Sequence, residues 1–432
     1  MNYDTATLPT IDNQLVNGWI TTSDLQLIAK RVGTPVFIYS EEQLLRNVQR
    51  IKDAVIDAGI DNRVEFYVPF FPNSNPHVLK PFQQLDIGLL LQLPSEYELL
   101  RRFGFNKFII STGHVSDKDI DFWAETGHPI FLSSLDEINY LLRTHDQASV
   151  NVRFDSLNSG KPGIKYSELQ KLSELLKNHG RGLDCFELYC GSGNTVDNMI
   201  GIVEQVFMIF RTYFPNAKAI NFAGGFGFDY QEKSELKKHF EWGKYLKKLR
   251  ENADRYGVPQ HVKFLFEPAR DILGDVGALL LSIERSIIKH PGANRLLTNG
   301  SRVLIPSAQY KERRHNVIFL DSTMTEIKSK GIPAALRGRG ILRHDYVLPG
   351  EYLVPDCIGA QDYLLILDVG AYCATQHMEF LNIPPAAEAV IDKAGSVYLI
   401  TSHGDKFDKW RYVLPDRKEL GSLVAERAAH QP

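Results

Sequence analysis

Between residues 64 and 267 short apolar runs alternate with amphipathic stretches, and this alternation restricts the fold more than any other feature of the chain. The apolar runs fall near 64–71, 85–91, 107–111, 129–133, 149–154, 184–190, 218–223 and 262–267. Helical periodicities lie at 95–103, 117–125, 135–144, 167–179, 197–213 and 235–256. Ser116 stands where it can cap the second of these, ahead of Ile120, Trp123 and Ala124 on one face. Parallel strands need covered faces and crossover helices. Eight such runs therefore predict a closed (β/α)8 barrel of the TIM type, with a doubly wound open sheet as its rival.

Upstream, 33–40 forms a short β run, and Ser40 with Gln43 makes a capping box for a helix bearing Leu44, Leu45, Val48, Ile51 and Val55 on one face. Beyond Asp275 the texture changes to short β-rich runs at 303–306, 316–321, 346–348, 363–367, 387–391 and 397–401. The expected organisation is a barrel over 34–275 and a mostly β domain made of 276–432 and completed by 1–33. At 432 residues the chain is long enough for both.

A formal charge of -3 gives no reason to expect nucleic acid or an anionic membrane surface as a partner. The first twenty residues have no basic region followed by an apolar core, and the longest apolar runs are too short for a bilayer. Four cysteines (Cys185, Cys190, Cys357, Cys373) show neither a disulfide framework nor zinc spacing. A cytoplasmic protein with free thiols and no metal is the expectation.

Chemistry in a barrel gathers at the carboxyl ends of its strands. The seventh run ends in Ala223-Gly224-Gly225-Phe226-Gly227, where glycine backbone could cradle a phosphate or simply make a tight turn. The eighth ends in Glu267-Pro268-Ala269-Arg270, which is either a ligand-binding carboxylate or a Glu267–Arg270 ion pair.

In order and spacing these segments resemble the pyridoxal-phosphate (PLP) decarboxylases of the diaminopimelate/ornithine decarboxylase family, the fold-type III or alanine racemase-like barrels. Gly224, Gly225 and Gly227 match the family's phosphate loop, and Glu267 matches the glutamate that bonds the cofactor's pyridine nitrogen, followed by Ala269 and Arg270. Tyr372, in Gly370-Ala371-Tyr372, resembles a tyrosine that reaches the phosphate. Tyr189 and Ser192 stand where the family has a stacking histidine and a phosphate-binding serine. Glu96 matches a glutamate after the second strand, and Lys161 a lysine near the site. Cys357 resembles the proton-donating thiol that enters the neighbouring subunit's site, although Asp362 follows it one residue later than usual. The resemblance implies a homodimer with sites at the interface and an amino-acid-like ligand.

The pattern breaks at the amine. Phe71, two residues before Asn73-Ser74-Asn75-Pro76, occupies the place of the Schiff-base lysine, and Leu90 that of an accompanying aspartate. Losing one member of a buried ion pair costs about 3–5 kcal/mol, whereas losing both can be neutral, so the two changes form a coherent swap. Ile358 and Ile332 stand where residues that hold diaminopimelate are expected, which argues against that substrate. Without the lysine, PLP or another phosphate-bearing ligand would be held non-covalently. Three readings stay open: a lyase of altered chemistry, a catalytically silent binding or regulatory homologue, and a conventional decarboxylase using Lys161 or, less well placed, Lys80.

Overall fold

The computed structural model describes residues 14–155, 160–230, 238–288, 293–310, 313–404 and 413. Eight strands close the predicted barrel. They are β1 (Val64–Pro69), β2 (Gly88–Leu91), β3 (Phe108–Ser111), β4 (Ile130–Leu132), β5 (Asn151–Asp155), β6 (Cys185–Leu188), β7 (Ala219–Asn221) and β8 (Lys263–Phe266). Each pairs in parallel with the next, and β8 pairs with β1, so no edge is left and the open-sheet rival is excluded. Strand alternation sends Tyr67, Leu90, Ile109, Phe131, Cys185 and Leu265 into an apolar plug inside the barrel. The opposite faces meet the helices in the main core. Ser116 and Ser134 each cap a helix with a reciprocal carboxylate three residues on, Asp119 and Glu137.

The second domain is mostly sheet, built around the long strand Gly277–Ile287. That strand pairs antiparallel with Arg295–Thr298, Tyr363–Leu367 and Val36–Ser40. Val36–Ser40 was expected to open the barrel; instead it lies between Gly277–Ile287 and Ala387–Ile391 in the second sheet. Its five residues are all buried, covered on both faces in the second sheet as they would be in the barrel. The following helix, Glu41–Asp57, is capped by the Ser40 hydroxyl, but Gln43 does not reciprocate; its side chain reaches Asn47 and Asp275.

Other expectations shift as well. The run 303–306 is not a strand but leads into a 3-10 turn at Pro306–Gln309, because Pro306 brings no N–H and Asp345 fixes Ser301 and Arg302 just before it. Upstream of residue 33, where the sequence carries no long periodic pattern, a helix (Thr22–Arg31) forms with a Thr21/Asp24 capping box. Its buried residues Leu25 and Ile28 were too few to stand out. The tail from Arg417 lies outside the described residues.

Candidate active site

Above the apolar plug, the inward positions of four strands become polar. Arg153 on β5, Glu187 on β6 and Asn221 on β7 are register partners across the barrel wall. Asn221 Nδ2 donates to Glu267 Oε1 at 2.7 Å, which carries the layer past the end of β8. Ser111 on β3 donates to Glu187 Oε2 at 2.7 Å, and Arg153 Nη1 lies 3.6 Å from Glu187 Oε1. Both carboxylates are buried. Burial and the neighbouring Glu187 push the Glu267 carboxyl well above the ordinary range, the amide of Asn221 offsetting only part of this. Burial also raises Glu187, against the lowering effect of Arg153 and Ser111.

Ser111, Arg153, Glu187 and Glu267 floor a cavity of about 200 Å³, with Asn221 buried behind them. Gly224, Gly225, Ser192, Ala269, Arg270 and Tyr372 surround its mouth. Gly225 has φ +100°, and a Cβ there would run into the Gly191 carbonyl, so only glycine lets the two loops meet. The N–H groups of Gly224 and Gly225 have no partner among the described residues. Arg270 lies with its guanidinium carbon 4.6 Å from the centroid of the Tyr372 ring, and its buried Nε has no hydrogen-bond partner among the described residues. The Glu267–Arg270 ion pair considered from the sequence does not form among the described residues; Asn221 takes the carboxylate instead. Free amides, an unpartnered guanidinium nitrogen and a glycine-only approach together make an anion-accepting mouth.

The rest of the wall is apolar. Phe71, 37% exposed, packs at 6.1 Å from the Tyr372 ring, and Leu90 lines the same cavity. Among the described residues no lysine lines this cavity. Lys161 Nζ sits 3.8 Å from the centroid of the Tyr189 ring, and burial together with Arg153 lowers its pKa. Tyr189 also bonds Ser192 through its hydroxyl at 2.9 Å, so a ring expected to stack on a ligand is already engaged by a cation. Lys80 is exposed and stands outside the cavity.

Several expected site residues lie elsewhere. Glu96 accepts from the N–H groups of Gln92 and Leu93 at 2.7 and 3.0 Å and so caps its helix. Gly227 gives its N–H to the Asn194 carbonyl and lines a separate cleft. Cys357 is exposed, with Ser329 Oγ 3.7 Å from its sulfur, and lines no cavity with Glu267. Ile332 belongs to the strand Gly331–Arg337 of the second sheet, and Ile358 is buried. Conversely, sequence reading passed over Ser111, Arg153, Glu187 and Asn221. The available signal was a polar residue at an inward position of an otherwise apolar strand, where burial demands a partner.

Fold and cavity together describe a (β/α)8 barrel joined to a mostly β domain, with a polar-floored cavity at the ends of the barrel strands. No family model matches the chain. Its relatives by sequence are diaminopimelate decarboxylases. That of Aquifex aeolicus is 22% identical over 412 residues, covering 87% of this chain and 90% of the relative. That of Thermoplasma acidophilum is 22% identical over 408 residues, with 90% and 95% covered. Among solved structures, diaminopimelate decarboxylase from M. jannaschii in co-complex with L-lysine superposes with a TM-score of 0.79 at 16% identity, over 90% of this chain and 94% of that one. Lysine/ornithine decarboxylase from Vibrio vulnificus complexed with cadaverine gives 0.72 at 16%, over 86% and 98%. These homologues are fold-type III PLP-dependent decarboxylases, and this chain is decarboxylase-like in sequence and fold.

Proposed function

We propose that this protein is a PLP-decarboxylase-like lyase of altered chemistry, which holds PLP or another phosphate-bearing ligand without a covalent link and acts on an amino-acid-like partner. One observation carries the reading: the mouth keeps unpartnered anion-binding groups while Phe71 fills the wall where an amine would tether the ligand. The residues present suit the phosphate end and the ring-nitrogen end of PLP, but not its covalent attachment. When bound, PLP would supply an electron-accepting ring.

The chain's own groups supply the rest. Arg270 and the amides of Gly224 and Gly225 would hold the head group, and Tyr372, under the Arg270 guanidinium, keeps that side chain aimed at the mouth. Glu267, protonated through burial, could give its proton to a basic nitrogen at the floor. Phe71 and Leu90 exclude water from one wall. The exposed position of Cys357 supports the homodimer, in which that thiol would serve the partner's cavity. Use of Lys161 finds less support, because its amine lies on the Tyr189 ring and off the cavity wall. The silent homologue shares the missing amine and differs only in turnover.

Equilibrium titration with PLP, followed by borohydride reduction and mass spectrometry, tests the binding reading. Reversible binding, an unchanged protein mass and at least tenfold weaker binding by R270A are expected. A reduced adduct on any lysine, or no binding at all, overturns it. Turnover of an amino acid that is lost in E267Q supports the lyase; no turnover of any amino acid with PLP present favours the silent homologue.

A further inference from the structure

The polar floor holds one more negative group than positive. Among the described residues Arg153 is its single cation, against Glu187 and Glu267, and Ser111 and Asn221 add only neutral donors. Ser111, Arg153, Glu187 and Glu267 line the same small space, and Asn221, buried behind it, links the two acids as register partner of one and donor to the other. An isolated buried carboxylate is costly, so two acids facing one cation favour a shared proton. A ligand that brings a cation to the floor relieves that demand directly. The mouth asks for the opposite charge, since Arg270 Nε and the amides of Gly224 and Gly225 lack partners among the described residues.

We infer that Glu187 is a ligand-recognition residue, and that with Glu267 it makes a floor selecting a phosphate ester whose far end carries a protonated nitrogen. This rests on the anionic-head reading above and adds the charge at the other end. The class is a phosphorylated nitrogen base small enough for a cavity of about 200 Å³, with its charges at opposite ends. Glu187 was not singled out from the sequence, and its role follows from the register that sets it beside Arg153 and Asn221.

The test compares two ligands on the same proteins by calorimetry: PLP, and its benzene analogue in which a C–H replaces the ring nitrogen. Wild-type protein should bind PLP at least tenfold more tightly than the analogue. E187Q should lose most of that preference while keeping its affinity for the analogue. R153Q should increase the preference, because it removes the floor's own cation. Equal binding of both ligands by wild type, or an unchanged preference in E187Q with R153Q moving nothing, overturns the inference. If E187Q does not fold, the direction of the R153Q effect decides. Failure of the head-group reading looks different: neither ligand then binds, or R270A leaves both affinities untouched.

Discussion

At the scale of single residues, the exchange at positions 71 and 90 is the most informative feature. Leu90 is 3% exposed in the cavity wall, where an unpaired carboxylate would be stranded. L90D should therefore destabilise the protein by about 3–5 kcal/mol. F71K, at a partly exposed position, should cost less than about 1 kcal/mol. Both side chains face one cavity, so the double variant should be more stable than the sum of the two losses implies, and urea denaturation of the four proteins measures this coupling. Strict additivity would show that the two positions do not form a pair. The F71K protein should also yield a borohydride-reducible PLP adduct that wild type lacks.

Among the elements, the helix Glu41–Asp57 is fastened to the barrel by a buried polar clamp. Asp271 accepts from Arg50 at 2.9 Å, from Trp242 Nε1 at 2.6 Å and from the Phe240 N–H at 2.9 Å. His239 lies 3.2 Å from Asp271 and 3.0 Å from Asp275, and Asn47 donates to Asp275 at 2.7 Å. Burial alone would lower the His239 pKa, but hydrogen bonds to Asp271 and Asp275 outweigh it and raise it to about 9. The folded value is raised, so this contribution is complete below about pH 6.5 and is lost as pH climbs through 9. Its size is roughly 3 kcal/mol. Denaturation midpoints should fall across that window in wild type and stay flatter in H239Q. Burial would raise Asp271 and Asp275, but His239, joined by Arg50 at Asp271 and by Asn47 at Asp275, outweighs it and holds both below the usual range, so the clamp weakens again in acid as they protonate.

Glu96 belongs to the same scale. Because its carboxylate caps a helix, E96A should cost about 1 kcal/mol of stability and leave PLP affinity unchanged. A change in affinity would return Glu96 to the site.

For the whole molecule, the decisive join is between the loop after β1 and the turn at 368–372. Asn73 Nδ2 donates to the Gly370 carbonyl at 3.1 Å, and the Tyr372 N–H donates to Pro72 at 2.7 Å. A side chain at Gly370 would collide with the Leu273 carbonyl, so the turn approaches closely only as glycine. This join brings Tyr372 from the second domain over Arg270 and Phe71. N73A should therefore weaken PLP binding several-fold without touching the cavity itself, as fluorescence titration would show. The proposed homodimer predicts a sedimentation mass twice that of the chain, and C357A should then lower turnover while leaving PLP affinity unchanged. A monomer at assay concentration would remove that role.

The sequence alone determined eight parallel strands with crossover helices, because eight apolar runs with helical spacers have few ways to cover both faces of every strand; the pairing of β8 with β1 decided for the closed barrel over the open sheet. The sequence also marked Gly224, Gly225, Glu267 and Arg270, whose backbone freedom and charge at strand ends are readable from spacing, and it showed that no lysine stands at position 71. It could not show that Val36–Ser40 leaves the barrel for the second sheet, since a fully buried strand reads alike in either place. Nor could it separate Glu187, Arg153 and Asn221 from ordinary polar interruptions, or Glu96 and Gly227 from site residues. Which side chains share a cavity depends on register between strands distant in sequence, and that was decided only when the barrel closed.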